Sequence, residues 1–380
     1  MMEINILNQD LKKKYNKYFQ QYGSVLFINK NNIIYNSTII SSKSKKSKIF
    51  PVIKANAYGM GVIAITNILI ELGYKSIFLA NIAEGVEVRK KFKSLNIYIL
   101  NCGQPLNAQI LIKHNLIPVL NSVEDIKSWV CGNLNNESCV IHLDTGMNRL
   151  GLSYSNILDL KKTKYINKLK IKFLMTHLAS AENAKKKFNE IQLNKLQKYT
   201  KIISKIKNHS IKSSICNSSG IWLGEKYLLN IVRPGASFLG INPLLNKQNP
   251  LKETVSMYAQ ITQIRKALKN TSVGYGQTVK LKKDSLLATI SIGYSNGLSR
   301  LLSNKGSVYI NNKKLDILGR VSMDLTVIDI SKFKDRELKI GDIVEIFGPN
   351  KSLEKFAIEN NTIPYEILCN IDKNIPKIIV

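Results

Sequence analysis

A lysine ends one of the first strongly apolar runs of the chain, in the stretch PVIKANAYGMG at residues 51–61. A buried amine is unfavourable unless it is paired or used chemically. Lys54 could pair with an acid, bind a phosphate or form a Schiff base with a carbonyl compound. For any single lysine the ion pair is the commonest of these uses, so the surrounding residues have to decide.

Groups that suit a phosphorylated carbonyl compound occur later in the chain. The stretch NSSG at residues 217–220 offers hydroxyl groups and a glycine that permits close backbone approach. Gly235 and Ala236 can present backbone N–H groups to a phosphate. Arg233 could face a ring nitrogen, although a structural ion pair explains an arginine there equally well. Together with Lys54, these groups match the requirements of a Schiff base with pyridoxal phosphate.

The elements that must position these residues alternate regularly. Helical segments include residues 61–72 and 189–207, and in the second Leu196, Tyr199, Ile203 and Ile206 share one face. Eight short apolar runs read as strands: 49–53, 77–80, 97–100, 117–120, 140–143, 171–175, 213–216 and 231–232. Eight strands alternating with helices over about 240 residues predict an α/β fold, a (β/α)8 barrel of the TIM type.

Reactive groups lie at the predicted carboxyl ends of these strands, where barrels of this type place their chemistry. They are Lys54, the stretch Asp144–Arg149, His177, the stretch Asn217–Gly220 and Arg233. The loops after strands seven and eight are the usual phosphate site of such a barrel. A random arrangement would scatter these groups along the strands.

The pattern changes after about residue 251, where the alternation with long helices stops. Strands are predicted at 255–264, 286–292, 307–310, 325–330 and 343–347, joined by turn-rich segments. The loop-like stretch at 243–251 marks the boundary. We therefore predict two domains, residues 1–250 as a barrel that binds pyridoxal phosphate and residues 251–380 as a mainly-β domain.

The composition excludes several other classes of protein. The five cysteines and four histidines are scattered without metal-ligand or disulfide spacing, which fits a reducing cytoplasm and predicts no metal. No apolar run is long enough for a membrane helix, and the polar start lacks a secretory signal. The net charge of +30 is spread along the chain without any nucleic-acid-binding motif, so we expect no nucleic-acid role.

Nine motifs in order carry a resemblance to a known family: VIKANAYGMG, DTGMNRLG, THLASAE, NSSG, VRPGASFLG, VGYGQT, IGYSNG, GRVSMD and IPYEIL. Together the chain resembles the alanine racemases, pyridoxal-phosphate enzymes with a (β/α)8 barrel and a C-terminal β domain. The motifs span residues 52–368, which is nearly the whole chain. The first motif is shared in part with related decarboxylases.

The resemblance implies catalytic roles for four residues. Lys54 would form the Schiff base with the cofactor and act as one of two bases. Tyr275 would be the second base, donated by the other subunit of a homodimer whose active sites are shared. His177 would interact with that tyrosine, and Arg233 would face the pyridine nitrogen.

The resemblance also implies a binding set around the cofactor and the substrate. The cofactor-binding residues would be Lys54, Tyr58, Arg149, His177, Asn217, Ser218, Arg233, Gly235, Ala236 and Tyr365. The substrate-binding residues would be Arg149, Met323, Asp324 and Tyr294, the last of them at an entry gate.

The chemistry of racemisation is consistent with these roles. A proton must leave Cα on one face and return on the other, which two opposed bases achieve most simply. A phenol with an ordinary pKa near 10 needs a neighbouring His or Arg to act as a base. An arginine, with a pKa above about 12, is a poor proton donor to the pyridine ring, so the ring is a weaker electron sink and reprotonation at Cα is favoured.

Four positions depart from the family pattern. The family often has a lysine, modified to a carbamate, two residues before the aspartate of the D-T-G-M motif, and here that position is His142. Arg149 must then be held by another group, such as an anion or a carboxylate. Asn296, Leu239 and Ser322 replace an aspartate, a tyrosine and a cysteine. These changes leave both bases in place but alter the surroundings of the site.

Several alternatives stay open on the sequence. A broader amino-acid racemase or a barrel-type decarboxylase is the nearest, although a decarboxylase would not need Tyr275. A pyridoxal-phosphate-binding homeostasis protein is usually a bare barrel, and a basic nucleic-acid-binding protein would need a module that is missing here. The favoured hypothesis is interconversion of L- and D-alanine, which supplies D-alanine for peptidoglycan.

Overall fold

The computed structural model describes residues 2–132, 134, 136–244, 247–334 and 336–380, with side chains from Asp10 onward. In chain order the strands are β1 (Ser24–Ile28), β2 (Lys48–Ile49), β3 (Ser76–Leu79), β4 (Asn96–Ile99), β5 (Leu116–Leu120), β6 (Ser138–His142), β7 (Lys170–Met175), β8 (Ser213–Ser214), β9 (Ile231–Val232), β10 (Val255–Ala267), β11 (Ser272–Val273), β12 (Val279–Lys280), β13 (Ser285–Ile290), β14 (Ser307–Ile310), β15 (Lys313–Leu318), β16 (Thr326–Asp329), β17 (Ile343–Phe347) and β18 (Lys377–Ile379). The helices are α1 (Met2–Tyr22), α2 (Lys30–Lys43), α3 (Lys54–Tyr58), α4 (Val62–Glu71), α5 (Ile82–Lys91), α6 (Ala108–Lys113), α7 (Val123–Cys131), α8 (Tyr154–Lys162), α9 (Tyr165–Lys168), α10 (Phe188–Lys207), α11 (Leu353–Glu359) and α12 (Pro364–Cys369).

The chain forms two compact units. One comprises Ile33–Lys252 and is called the barrel unit below; the other comprises Met1–Asn32 with Glu253–Val380 and is called the β unit. The predicted linker at 243–251 contains residues 245 and 246, which lie outside the described residues.

The barrel unit contains the predicted (β/α)8 barrel. Its parallel sheet has the order β2-β9-β8-β7-β6-β5-β4-β3, and a bridge between Val52 and Phe78 closes the ring. All eight predicted strands are confirmed, each within a few residues of its expected position. Parallel strands are buried on both faces, which explains why these runs are apolar and β-branched without alternation.

A layer of large side chains fills the interior of the barrel. Its members are Phe78, Tyr98, Ile117, Val119, Val140, Phe173, Met175 and Ile231, with Phe50, Val52 and Leu100 packed against them. The rings of Phe78 and Tyr98 stack at a centroid distance of 4.9 Å. Burial of each such side chain contributes about 1.5–3 kcal/mol to stability. The interior is therefore a packed core, and open space for chemistry remains only at the strand ends.

The surrounding helices bury one face each. The predicted helix at 61–72 is confirmed as α4, which buries Ile65, Ile68 and Leu69. The predicted helix at 189–207 is confirmed as α10, whose buried face includes Leu196, Tyr199 and Ile203, whereas Ile206 is half-buried. The apolar spacing close to 3.6 residues directs these side chains toward the sheet.

The β unit is built on an antiparallel ring of strands. β10 pairs with β17 and with β13, and the order β13-β16-β15-β14-β17-β10 returns to β13. One long strand can serve both partners because a register shift between Ile261 and Gln263 separates its two halves. The five strands predicted after residue 251 are all present, and β11, β12, β15 and β18 were not predicted.

The sequence-based division of the chain differs from the observed one at the amino terminus. Residues 1–32 were assigned to the barrel, but β1 pairs antiparallel with β10 and parallel with β18, as in Leu26 opposite Met257 and opposite Lys377. The reason is that the five residues of β1 are all buried and resemble a barrel strand in composition. Such a run does not itself specify its partner.

None of the described helices has the length and apolar character that a membrane span requires.

Candidate active site

Polar groups follow the interior core layer at the carboxyl end of the barrel. The core residues Val52, Val119, Val140, Met175 and Ile231 are each followed two positions later by a polar residue. Those residues are Lys54, Asn121, His142, His177 and Arg233. Because strand side chains alternate between faces, this spacing directs polar groups to the inner side of the mouth. The pKa of His177 is lowered first by burial and then by the charges of Arg233, Arg149 and Lys54, which agrees with their proximity.

Lys54 is followed by an unusual turn of backbone. Ala55, Asn56, Ala57 and Tyr58 all have φ between +53° and +54°, and Gly59 continues at +81°. A left-handed conformation costs roughly 1–2 kcal/mol for each residue that carries a Cβ. Such strain persists only where the surroundings over-determine it, and it is concentrated at functional sites.

Hydrogen bonds hold this left-handed turn in place. The Asn56 N–H donates to Glu84 Oε1 at 3.1 Å, and the other oxygen of Glu84 accepts from the Ala80 N–H at 2.8 Å. The side chain of Asn56 accepts from the Val62 N–H at 2.8 Å, where α4 begins. The lysine is thus the first residue of a rigid connection between β2 and α4.

A compact anion cradle lies between the loops after β8 and β9. Ser218 Oγ accepts from the N–H groups of Gly235 and Ser237 at 3.0 and 3.1 Å. A Cβ on Gly235 would collide with the hydroxyl oxygen of Tyr58 and lie 2.7 Å from the Val52 carbonyl oxygen. The Ser237 hydroxyl is buried and has no hydrogen-bond partner among the described residues. The N–H groups of Gly235 and Ser237 therefore meet at a place where residue 235 has no room for a Cβ.

Arg233 is buried at the centre of the mouth. One terminal nitrogen donates to Ser214 Oγ, and the other donates to the Thr176 carbonyl oxygen at 2.5 Å. Burial lowers the pKa of Arg233 to about 10. This value is below the one above about 12 that the sequence analysis used, but the guanidinium still stays charged at neutral pH and remains a weak proton donor.

Two histidines at the mouth are neutral at physiological pH. Burial, with the nearby charges of Arg233 and Arg149, lowers the pKa of His177 to about 3 and that of His142 to about 4. His177 is fixed through its backbone, because Gln192 Nε2 donates to its carbonyl oxygen at 2.9 Å. A neutral imidazole retains one acceptor nitrogen, which a charged one lacks.

The β unit carries Tyr275, Tyr294, Met323 and Asp324 on three loops that pack on one another, and Tyr365 on α12. In the first, a Cβ on Gly274 would lie 3.2 Å from the Arg320 nitrogen, so this loop packs against residues 319–324. The Tyr294 N–H donates to the Ser322 carbonyl oxygen at 3.0 Å. Tyr275 is 72% exposed, Met323 59% and Tyr294 45%.

The structure thus groups the predicted site residues in two sets. Lys54, Tyr58, Arg149, His177, Ser218, Arg233, Gly235 and Ala236 lie in the barrel unit. Tyr275, Tyr294, Met323, Asp324 and Tyr365 lie in the β unit, where Tyr365 is half-buried on α12. Asn217, the other predicted residue of the barrel, accepts from the Gly220 N–H at 2.9 Å and so shapes its own turn.

Four supporting residues were missed by the sequence analysis: Glu84, Asn121, Gln192 and Ser214. Asn121 had a usable signal, since it directly follows an apolar strand. Glu84, Gln192 and Ser214 act through contacts distant in sequence, for which the chain gives no local sign. Within the described part of the chain, no three His, Cys, Asp or Glu side chains gather as metal ligands would.

The fold, together with a mouth that combines a lysine, a buried arginine and neutral histidines, is that of a (β/α)8-barrel enzyme. Comparison with known proteins specifies the family. The family model described as "Alanine racemase, N-terminal domain" matches residues 28–243, and "Alanine racemase, C-terminal domain" matches residues 254–379. The chain belongs to the alanine racemase family.

Individual relatives are similar over most of their length. A protein of Rickettsia bellii named alanine racemase is 38% identical over 89% of this chain and 83% of its own length. One of Brucella abortus is 31% identical over 94% of each chain. The crystal structure of alanine racemase from Bartonella henselae, with covalently bound pyridoxal phosphate, is 34% identical and has a TM-score of 0.87. That alignment covers 94% of this chain and 99% of the other.

Proposed function

We propose that this protein is a pyridoxal-phosphate-dependent racemase that interconverts L- and D-alanine, with Lys54 and Tyr275 as its two bases. The observation that carries the proposal is that Lys54, His177 and Arg233 follow the core layer at the mouth of the barrel, where burial and then the nearby positive charges lower the pKa of the histidine. Membership in the alanine racemase family specifies the substrate.

The residues of the barrel fit the proposed cofactor. The phosphate would be held by the N–H groups of Gly235 and Ala236 and by the hydroxyl groups of Ser218 and Tyr58. The unpartnered hydroxyl of Ser237 and the lack of room for a Cβ on Gly235 suit a site built for close contact with an anion. When bound, pyridoxal phosphate supplies the electron sink that makes the Cα hydrogen of an amino acid acidic.

The proton is proposed to move between two side chains on opposite faces of Cα. Lys54 would take or return it on one face, at a position fixed by the rigid turn that follows. Tyr275 of a second subunit would do so on the other. His177 has its pKa lowered to about 3, so it is neutral and can accept a hydrogen bond from a phenol. That bond would orient the phenol oxygen toward Cα.

Arg233 would keep the ring nitrogen unprotonated. Its two terminal nitrogens are already held by Ser214 and by the Thr176 carbonyl group, so the guanidinium cannot turn away. With a pKa of about 10, it would hold its proton rather than pass it to a pyridine. Reprotonation at Cα would then be favoured over transamination.

The substrate would be bound by residues of both units. Arg149 is exposed at the barrel mouth, and its charge acts on both histidines there. Met323 and Asp324 would help to hold the substrate carboxylate through their loop, and Tyr294 would line the entrance. Tyr365 would add a hydroxyl group to the phosphate.

A homodimer with shared active sites is part of the proposal. Tyr275, Tyr294 and Met323 are large side chains left exposed in one chain, although their loops are well packed at the backbone. A second copy that covers this surface would bring Tyr275 to the barrel mouth of its partner. The reaction would take place in the cytoplasm and supply D-alanine for peptidoglycan.

A polarimetric assay tests the proposal directly. Purified protein loaded with pyridoxal phosphate is given L-alanine, and the optical rotation is followed to equilibrium. We expect decay to zero rotation with the wild type and no decay with Lys54→Ala. A yellow, fully loaded protein that leaves alanine unchanged would contradict the proposed substrate. Decay at the same rate in the Lys54→Ala variant would contradict the role of the lysine.

A further inference from the structure

His142 ends β6 and lies at the barrel mouth, where it is buried. Its Nδ1 is 2.8 Å from Asn121 Oδ1, which follows the neighbouring strand β5. The proposed function assigns neither residue a role. The position is the one at which the chain departs from the lysine of its family, so Arg149 needs a different support.

The hydrogen bonds of Asn121 fix the proton on the imidazole. Asn121 Nδ2 donates to the carbonyl oxygens of Leu100 and Val119, at 2.9 and 3.0 Å. The amide oxygen must therefore be the atom that faces His142, and an oxygen can only accept. Nδ1 of His142 consequently carries the hydrogen. A second hydrogen on Nε2 is disfavoured by burial and by the charges of Arg233 and Arg149, which lower the pKa of His142 to about 4.

The imidazole thus presents a bare Nε2 lone pair at neutral pH. Asn121 is itself rigid, because its N–H donates to Asp125 Oδ2 at 2.7 Å. The same carboxylate caps α7 through the Ser122 N–H at 3.1 Å. The direction of the lone pair is therefore fixed by Asn121, which hydrogen-bonds to the imidazole, and by Asp125, which holds Asn121.

The loop that carries Arg149 is tied to the same two residues. The Gly151 N–H donates to the Asn121 carbonyl oxygen at 3.0 Å, and the Leu152 N–H donates to the His142 carbonyl oxygen at 2.9 Å. At the start of the loop, Asp144 Oδ1 accepts from the Gly146 and Met147 N–H groups. The loop that carries Arg149 is therefore anchored by a hydrogen bond to the backbone of His142.

We propose that His142 is a positioning residue for Arg149, whose guanidinium donates a hydrogen bond to the bare Nε2 when cofactor and substrate fill the mouth. This inference rests on the proposed function. A neutral acceptor orients the guanidinium without cancelling its charge, whereas an anion would cancel it. The full charge of Arg149 then remains available to an anionic substrate. The charged and titratable groups that act on His142 are Arg233, Arg149 and Asp144, and His142 acts in turn on His177.

Two substitutions separate positioning from packing. His142→Asn keeps a donor toward Asn121 Oδ1 but has no acceptor at the Nε2 position. His142→Gln can place its amide oxygen near that position. His209→Asn is the matched control, because His209 is exposed and its Nδ1 lies 2.9 Å from the Lys207 carbonyl oxygen.

We expect His142→Asn to keep the melting temperature and the cofactor loading of the wild type while kcat/KM for alanine falls about 10- to 100-fold, mainly through KM, as loss of a hydrogen bond to a charged group predicts. His142→Gln should recover much of that loss. Full kcat/KM in His142→Asn would overturn the proposal. So would a loss that only follows a lower melting temperature, because it would reflect packing.

A spectroscopic readout works without turnover. In the enzyme labelled with 15N-histidine, loaded with pyridoxal phosphate and saturated with propionate, which has the carboxylate of alanine but no amine to react, solid-state NMR should show His142 with the hydrogen on Nδ1, and the Nε2 resonance should shift in Arg149→Met. Hydrogen on Nε2, or an Nε2 resonance that ignores Arg149→Met, would overturn the inference. A wild type that fails polarimetry but shows both NMR features would instead refute the proposed function and leave the His142–Arg149 contact standing.

Discussion

The barrel mouth and the exposed loops of the β unit differ in how they hold their side chains. In the barrel, Arg233 and Ser218 are 3% and 7% exposed, and each has hydrogen-bond partners. In the β unit the loops are fixed by backbone contacts, yet Tyr275 is 72% exposed. The barrel therefore completes its part of the site within one chain. The β unit fixes the backbone of its loops and leaves large side chains such as Tyr275 exposed.

The difference is also electrostatic. Burial in the barrel moves the pKa values of His142, His177 and Arg233 away from their ordinary range. Groups whose pKa values are tuned by their own chain need no partner to reach their protonation state. The two regions should therefore respond differently to mutation, pH and association.

The largest effect is expected from combining one variant of each region. Lys54→Ala and Tyr275→Phe should each reduce racemisation by at least about 100-fold, because each removes a base. Mixed and allowed to exchange subunits, the two inactive proteins should regain about a quarter of the wild-type activity. Half of the dimers would be mixed, and one of their two sites would carry both bases. The rate of loss of optical rotation measures the recovery.

The control is each variant mixed with itself, which should stay inactive. If the mixture of the two variants also stays inactive although subunit exchange is verified by mass spectrometry, Tyr275 does not act in the site of a second copy.

A methyl group added to one glycine in each region should next distinguish cofactor binding from loop packing. Gly235→Ala places a Cβ against the Tyr58 hydroxyl and the Val52 carbonyl oxygen, which cannot move freely. Overpacking costs about 1–3 kcal/mol, so the Kd for pyridoxal phosphate should rise roughly 5- to 150-fold. Gly276→Ala meets the flexible end of Arg320 at 2.9 Å and should leave that Kd unchanged. Absorbance titration measures both, and an equal Kd in the two variants would refute the cradle.

Acid should destabilise the barrel unit through its buried histidines. All four histidines lie in the barrel. The folded pKa values of His142 and His177 are about 4 and about 3, below the ordinary value near 6.5. Between pH 6.5 and 4 the unfolded chain binds protons that the folded barrel does not. The free energy of unfolding should then fall by about 1.4 kcal/mol per pH unit for each histidine.

Two carboxyl groups of the β unit have the opposite effect on the pH dependence of stability. Burial raises the pKa values of Glu253 and Glu345, so the folded state there binds protons before the unfolded chain does. Stability from these groups is present at low pH and lost as the pH rises through the raised values. Urea denaturation followed by tryptophan fluorescence reports on the barrel, since Trp129 and Trp222 both lie there. An unchanged slope with pH in the His142→Asn/His177→Asn double variant would contradict the assignment to these histidines.

The smallest expected effect concerns the left-handed turn after Lys54. Ala55→Gly should raise the free energy of unfolding by about 1 kcal/mol, because glycine adopts positive φ without steric strain. Ala64→Gly, in the right-handed helix α4, should lower it by about the same amount. If urea denaturation shows that both substitutions lower the free energy of unfolding, the turn is not strained.

The sequence predicted the barrel well because burial on both faces leaves a clear apolar run for every strand. The mouth residues followed from the ends of those runs and from the motifs. The left-handed turn could not be predicted, since residues 55–58 include no glycine and tertiary contacts such as that of Glu84 impose the conformation. The hydrogen-bond partners of Arg233 could not be predicted either, because Ser214 and Thr176 approach it only in the folded chain.

The compact units of the structure differ from the predicted division at residues 1–32. β1 is a buried apolar strand like those of the barrel, and its pairing with β10 and β18 joins segments far apart in sequence. Likewise β15 was missed because the stretch KKLDIL is half polar, as befits a strand with one exposed face. Local patterns report burial but not the identity of the partner.

The pairing of β1 also has a consequence for biosynthesis. The barrel unit is an insertion within the β unit, since the strand at residues 24–28 finds its partners β10 and β18 only at residues 255–267 and 377–379. A ribosome that adds about 5–20 residues per second would synthesise the whole barrel segment before β10 is made. The barrel can fold first, while β1 waits as an exposed apolar strand. Chaperones that recognise extended apolar segments would then have a defined target, at one place and for a limited time.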